Sequence, residues 1–387
     1  MSRLAQALSG KRVVICAGAG GVGKTTVSAA VALGLAQQGQ RVALVTIDPA
    51  RRLAEAMGLD ALDNRPQPID LARVTECGVQ VRGELFAMML DSKRTFDELI
   101  ELLAPDPRTK EQILANPIYR HISTAVAGSQ EYTAIAKLFE IDHEQEYDVI
   151  VLDTPPSRHA IDFLEAPERL TAFLEGRALN ALLRPSGHAM RAAGIVFAAL
   201  RRITGVELLD DLTTLFRLLA GMLDGFRRRA ADVHALLGDP ASGFLIVTSP
   251  ERSAVDEAVF FADELDRAGL HRCGVVVNRV HPLDATPHDP ATVAARLNDR
   301  LGAGLADKVA ETHIEVQRLA GRDAGAVARL LRALREDPIC VPDRDADVHD
   351  IRSLVDLHND LFAIDTSVGL LRTGWRVNSD GACARAS

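Results

Sequence analysis

The run Gly18-Ala19-Gly20-Gly21-Val22-Gly23-Lys24-Thr25-Thr26 constrains the fold of this chain more than any other segment. It follows the apolar stretch Val13-Val14-Ile15-Cys16 and leads into a helix-like segment near Thr26. Gly18 to Thr25 fits the pattern G-x-x-x-x-G-K-[ST] in the strand–loop–helix order that the pattern requires. Glycines let the backbone turn tightly, so that successive N–H groups converge on a phosphate, and the following helix adds the positive end of its dipole. In such loops a lysine like Lys24 reaches the β/γ-phosphates and a hydroxyl like that of Thr25 ligates Mg²⁺. The segment predicts a nucleoside triphosphate site, with Gly20, Gly21, Val22, Gly23, Lys24, Thr25 and Thr26 around the phosphates.

Composition narrows what surrounds that site. The 387 residues accommodate one large α/β domain with insertions, or two domains, and an apolar fraction of 47% supplies a core. A net charge of −9 offers no basic footprint for nucleic acid. The cysteines at 16, 77, 273, 340 and 383 are scattered without a C-x-x-C, which argues against a disulfide framework or a zinc site. No apolar run reaches the ~18 residues of a membrane span. Residues 192–200 come nearest and are followed by Arg201-Arg202, so a buried helix is expected there. Met1 to Leu4 lack a signal-peptide core, and a cytoplasmic location is expected.

Short apolar runs alternate with long amphipathic segments, the pattern of a doubly wound, mostly parallel α/β sheet. Strands are expected at Val13–Ala17, Val42–Ile47, Val149–Leu152, Phe244–Thr248, Gly274–Val277 and Ile339–Val341, with another at Arg73–Val81. Residues 84–146 and 167–235 are long and helix-rich and read as an inserted helical subdomain, in which Leu208 to Phe226 show helical apolar spacing. The nucleotide-binding core is then 1–83, 147–166 and 236–366. A polar, mobile tail is expected over 367–387.

Two strand ends carry carboxylates. Asp48 follows the second strand in Thr46-Ile47-Asp48-Pro49-Ala50. A carboxylate there points into the crevice at the strands' carboxyl ends, where it can orient an attacking water; the alternative is a turn or N-cap residue. Asp153 closes the apolar strand of Val149–Leu152, the arrangement that holds Mg²⁺ downstream of a phosphate loop. The following Ser157-Arg158-His159 reads as a switch loop.

Together these loops resemble those of the arsenite-pump/tail-anchored-protein targeting ATPase family. The resemblance rests on Asp48-Pro49-Ala50, on Asp153-Thr154-Pro155-Pro156-Ser157-Arg158-His159, on Thr248-Ser249-Pro250-Glu251 and on Val275-Val276-Val277-Asn278-Arg279. Cys340-Val341-Pro342-Asp343 is similar to the family's late loop over the base. The resemblance implies a P-loop ATPase using ATP and Mg²⁺ and working as a dimeric switch, with Asn278 and Pro342 at the adenine. In this family an extra lysine stands before the glycine pair and reaches the partner's nucleotide; here that position is Ala19. A heterodimer with a lysine-bearing homologous subunit is therefore expected over a homodimer, with Arg51 or Arg158 as possible cations in cis. The scattered cysteines disfavour an arsenite site. A hydrophobic client helix is a further implication, weighed against a packed helical core. The other class of function kept open is a nucleotide-binding regulatory or scaffold subunit with little hydrolysis.

Overall fold

The computed structural model describes residues 2–47, 53–54, 57, 62–120, 130–154, 206–282, 289–344, 347–363, 375–377 and 383–385. Eight strands form the central sheet: β1 (Val13–Ala17), β2 (Arg41–Thr46), β3 (Gln67–Pro68), β4 (Glu84–Met89), β5 (Val149–Asp153), β6 (Ser242–Thr248), β7 (Arg272–Val280) and β8 (Ile339–Pro342). Their order is β3-β4-β2-β5-β1-β6-β7-β8. Every pairing is parallel except the short edge strand β3, which runs antiparallel to β4.

Both faces of the sheet are covered, which is why its strands read as continuous apolar runs. Along β1, Val14 and Cys16 join one buried cluster while Val13 and Ile15 join the other. The first cluster includes Leu4 of helix α1 (Arg3–Ala7) and helix α2 (Lys24–Gln37), whose segment from Val27 to Ala36 is buried all round. β1 lies between the halves that lead to β5-β2-β4 and to β6-β7-β8. Such a switch of direction opens a crevice at the strands' carboxyl ends. The glycine-rich run leaves β1 at that point.

The strand expected at Arg73–Val81 is not found there. Ala72–Glu76 forms a short helix (α3), and the strand is β4 at Glu84–Met89. The Asp70 carboxylate accepts from the backbone N–H of Ala72 at 3.0 Å and starts a helical turn. Val74 and Val79 are buried from that turn and its exit, and the alternation of Cys77, Val79 and Val81 imitated a strand. The stretch 84–146, expected to be helix-rich and free of strands, therefore begins inside the sheet.

Beyond β4 come α4 (Ser92–Leu103), α5 (Pro107–Ala115), α6 (Gln130–Glu144), α7 (Val206–Ala220) and α8 (Leu223–Gly238). Phe96, Ile100, Ile113, Tyr119, Leu215 and Phe226 from this group share a third apolar cluster. The periodic face expected over Leu208–Phe226 is thus, at Leu215, Leu219, Met222 and Phe226, packed core. After β6 follow α9 (Arg252–Arg267), then α10 (Pro290–Leu301) and the long α11 (Ala303–Leu334), and α12 (Ile351–Phe362) closes the sheet after β8. In the tail, Trp375–Val377 and Cys383–Arg385 pair antiparallel. Residues 192–200 and the rest of the tail lie outside the described residues.

Candidate nucleotide site

The loop from Gly18 to Gly23 links β1 to α2, and its first and last glycines answer specific contacts. A Cβ at Gly18 would lie 1.9 Å from the Val247 carbonyl oxygen of β6. Gly23 caps α2 with a left-handed backbone, φ 91°, and a Cβ there would sit 2.4 Å from Nδ2 of Asn278. Lys24 is only 6% exposed and lies back across the loop, its Nζ donating to the Ala19 carbonyl at 2.8 Å. Thr26 belongs to the first turn of α2.

Thr25 and Asp153, 128 residues apart in sequence, are in contact: the Thr25 hydroxyl donates to the Asp153 carboxylate at 2.6 Å. Thr46 at the end of β2 donates to the same oxygen at 2.8 Å, and Ser28 on α2 reaches the other at 3.5 Å. Asp153 is 1% exposed, so a carboxylate with hydroxyls on both oxygens is fixed at the floor of the crevice. Hard oxygen donors of this kind suit Mg²⁺, which takes one or two protein oxygens and completes its shell with phosphate and water. Among the described residues no group of three or more His, Cys, Asp and Glu could hold a metal, and a phosphate-assisted Mg²⁺ needs none. The donor set therefore fits Mg²⁺ held together with a triphosphate.

The end of β7 clamps the loop from above. Asn278 is 8% exposed and its Nδ2 donates to the Val22 carbonyl at 2.9 Å. Arg279 takes a left-handed backbone, φ 62°, and its guanidinium reaches the Gly21 carbonyl and the Asp347 carboxylate, each at 3.4 Å. Pro342 on β8 is in register with Val280, beside this strand end.

A cavity of about 1540 Å³ opens on the Ala19 side of the loop. Its walls are Ala19 to Val22, the start of α9 after Ser249-Pro250-Glu251, the end of β7, and the face of α11 that carries Arg322, Asp323 and Arg329. Here lies a feature that sequence reasoning missed. Asp323, 7% exposed, accepts from the His281 backbone N–H at 3.0 Å and meets its Nδ1 at 2.7 Å, tying α11 to β7. The signal was a carboxylate between the apolar positions Ala320, Ala324 and Val327 of one helix.

Asp48, Arg51, Arg158 and His159 lie outside the described residues. Cys16, Cys273 and Cys340 are buried, and burial pushes all three thiols up, those of Cys273 and Cys340 to about 12. Thiols held protonated in this way make poor metal or metalloid ligands. Among the described residues no helix is long and apolar enough to cross a membrane.

Comparison with known sequences places this geometry among relatives. A sequence model described as "Anion-transporting ATPase" matches residues 11–301. ATPase GET3 of Malassezia globosa is 25% identical over 304 residues, which cover 77% of this chain and 82% of that protein. The putative arsenical pump-driving ATPase 1 of Aquifex aeolicus is 25% identical over 284 residues, covering 70% and 64%. The arsenical pump-driving ATPase of Escherichia coli is 27% identical over 310 residues, covering 75% of this chain and 44% of that protein. The chain thus spans most of the first relative, under two thirds of the second and under half of the third.

Proposed function

The chain belongs to the anion-transporting ATPase family, and we propose that it binds and hydrolyses ATP with Mg²⁺ at the loop after β1. The observation that carries this reading is the 2.6 Å contact between Thr25 and Asp153 under a loop crossed by Lys24.

The backbone N–H groups from Gly20 to Thr26 bind the phosphates, and Lys24 exchanges the Ala19 carbonyl for a phosphate oxygen. Thr25 and Asp153 hold Mg²⁺, which when bound neutralises charge on the β- and γ-phosphates. Asp153 stays aligned because Thr46 and Ser28 hold it. Asp48, which follows Ile47 in the sequence, orients the attacking water, a role that rests on its sequence position alone. Asn278 and Pro342 border the adenine; to meet the base, Asn278 releases the Val22 carbonyl.

Ala19 sets the partner. In related dimers the lysine at this position serves the other subunit's nucleotide, as an arginine finger does, and such a device is worth about 10³–10⁵ in rate. At ~1.4 kcal/mol per decade this is roughly 4–7 kcal/mol of barrier. A homologous subunit bearing the lysine supplies it to this chain's site, and the pair acts as a nucleotide-driven switch. The test is single-chain turnover: the wild type alone should bind ATP and hydrolyse it slowly, and Ala19→Lys should raise its rate by orders of magnitude. Fast turnover by the wild type, unchanged by Ala19→Lys, refutes the need for a lysine-bearing subunit.

A further inference from the structure

We propose that one face of α11 pairs antiparallel with the same face of a second copy of this chain. α10 and α11 form a helical hairpin turning at Gly302, and α10 has no buried residue. In the first half of α11 the buried positions are Ala306 and Ala310, small residues suited to close helix packing against α10. A separate stripe consists of Leu305, Val309, Thr312 and Val316. Its 4-3-4 spacing is that of alternating d and a positions of a heptad. Leu305 is 51% exposed and Val309 38%. With Lys308 and His313 the stripe lines an apolar groove of about 460 Å³.

Charge selects the occupant. With Val309 at position a, Lys308 and Glu315 are both g positions, one heptad apart. Both are exposed, and among the described residues neither side chain has a hydrogen bond or ion pair. In an antiparallel pair, a meets d and g meets g across the seam. Setting Val309 opposite Thr312 of the second copy places Leu305 opposite Val316 and Lys308 opposite Glu315. A two-fold axis then repeats every contact, giving two Lys–Glu pairs from one self-complementary helix. Parallel pairing instead sets Lys308 against position 313, a histidine, and loses this match.

The seam stands apart from the nucleotide. Arg322, on the cavity wall, lies about 25 Å further along the helix axis than Leu305 at 1.5 Å per residue. The face bearing Ala19 therefore stays open to a lysine-bearing subunit, and the pairing needs no nucleotide.

Sedimentation equilibrium of the full chain without nucleotide tests this, over two orders of magnitude in concentration. The wild type should shift reversibly to the mass of two chains. Lys308→Glu or Glu315→Lys alone places like charges at both flanks and should raise the dissociation constant about tenfold or more. Lys308→Glu combined with Glu315→Lys should restore the wild-type value. A wild type that stays monomeric, self-association indifferent to either single change, or failure of the combined change to restore pairing overturns the proposal.

Discussion

Replacing Gly23 by Ala imposes two costs that a double-mutant cycle can separate. The first is the backbone: Gly23 has φ 91°, and a left-handed non-glycine residue costs about 1–2 kcal/mol. The second is contact. The new Cβ lies 2.4 Å from the Asn278 amide nitrogen, well inside any tolerable separation. The Asn278 side chain must swing away, and it then forfeits its bond to the Val22 carbonyl, a net loss of about 1 kcal/mol. Gly23→Ala should therefore destabilise the wild type by about 2–3 kcal/mol. In an Asn278→Ala background nothing is displaced, and only the backbone cost of about 1–2 kcal/mol remains. Urea unfolding of the four proteins without nucleotide should give a coupling near 1 kcal/mol. Additivity within about 0.3 kcal/mol would show that Asn278 does not sit over the helix cap, and would refute the clamp.

Other consequences follow from buried groups. His358 is 2% exposed, stacks on Phe362 with ring centroids 5.1 Å apart, and has Nε2 3.1 Å from the Gln37 side-chain oxygen. Burial holds its pKa below the usual 6.5, so the unfolded chain takes up a proton first as pH falls. Stability should be full above pH 6.5 and decline below it with a slope of at most about 1.4 kcal/mol per pH unit from this group. His358→Leu should remove that component, and an unchanged pH profile in the variant would contradict it. Phe226, 1% exposed in the helical cluster, should cost about 3–5 kcal/mol when replaced by Ala, read from the unfolding midpoint. A loss below 1 kcal/mol would mean that the cluster does not hold the helices together. A thiol reagent added to native protein should leave Cys16, Cys273 and Cys340 unmodified until urea is added, and mass mapping of early labelling at these sites would contradict their burial.

The sequence was most readable where one short motif had to satisfy several demands at once. β1, the loop and α2 are contiguous, and the glycines, Lys24 and Thr25 sit where the strand–loop–helix pattern requires. Asp153 was legible because it closes an apolar strand downstream of a phosphate loop; many strands end in Asp, and without the loop the signal is weak. Legibility failed where local pattern competed with capping. Cys77, Val79 and Val81 alternate like a strand, yet Asp70 starts a helical turn and the sheet recruits Glu84–Met89 instead. It failed again for contacts between distant segments. The bond of Asn278 to Val22 spans 256 residues and could not be seen locally. The α11 wall of the cavity, with Asp323 bridging to His281, depends on how a 32-residue helix crosses the sheet. Periodicity sets which face of a helix is buried, and does not say what it is buried against.

The central claim is that Lys24 and its loop hold a Mg²⁺-bound nucleoside triphosphate. Isothermal titration of ATP into the full chain, with Mg²⁺ and again with chelator, tests it without depending on a partner subunit or on the rate of hydrolysis. A charge-assisted contact from Lys24 to a phosphate is worth about 1.5–3 kcal/mol, so on this account Lys24→Ala should weaken binding about 10–100-fold. Chelation should weaken wild-type binding as well. ATP bound equally by the wild type and Lys24→Ala, or no binding by the folded wild type, would contradict the account.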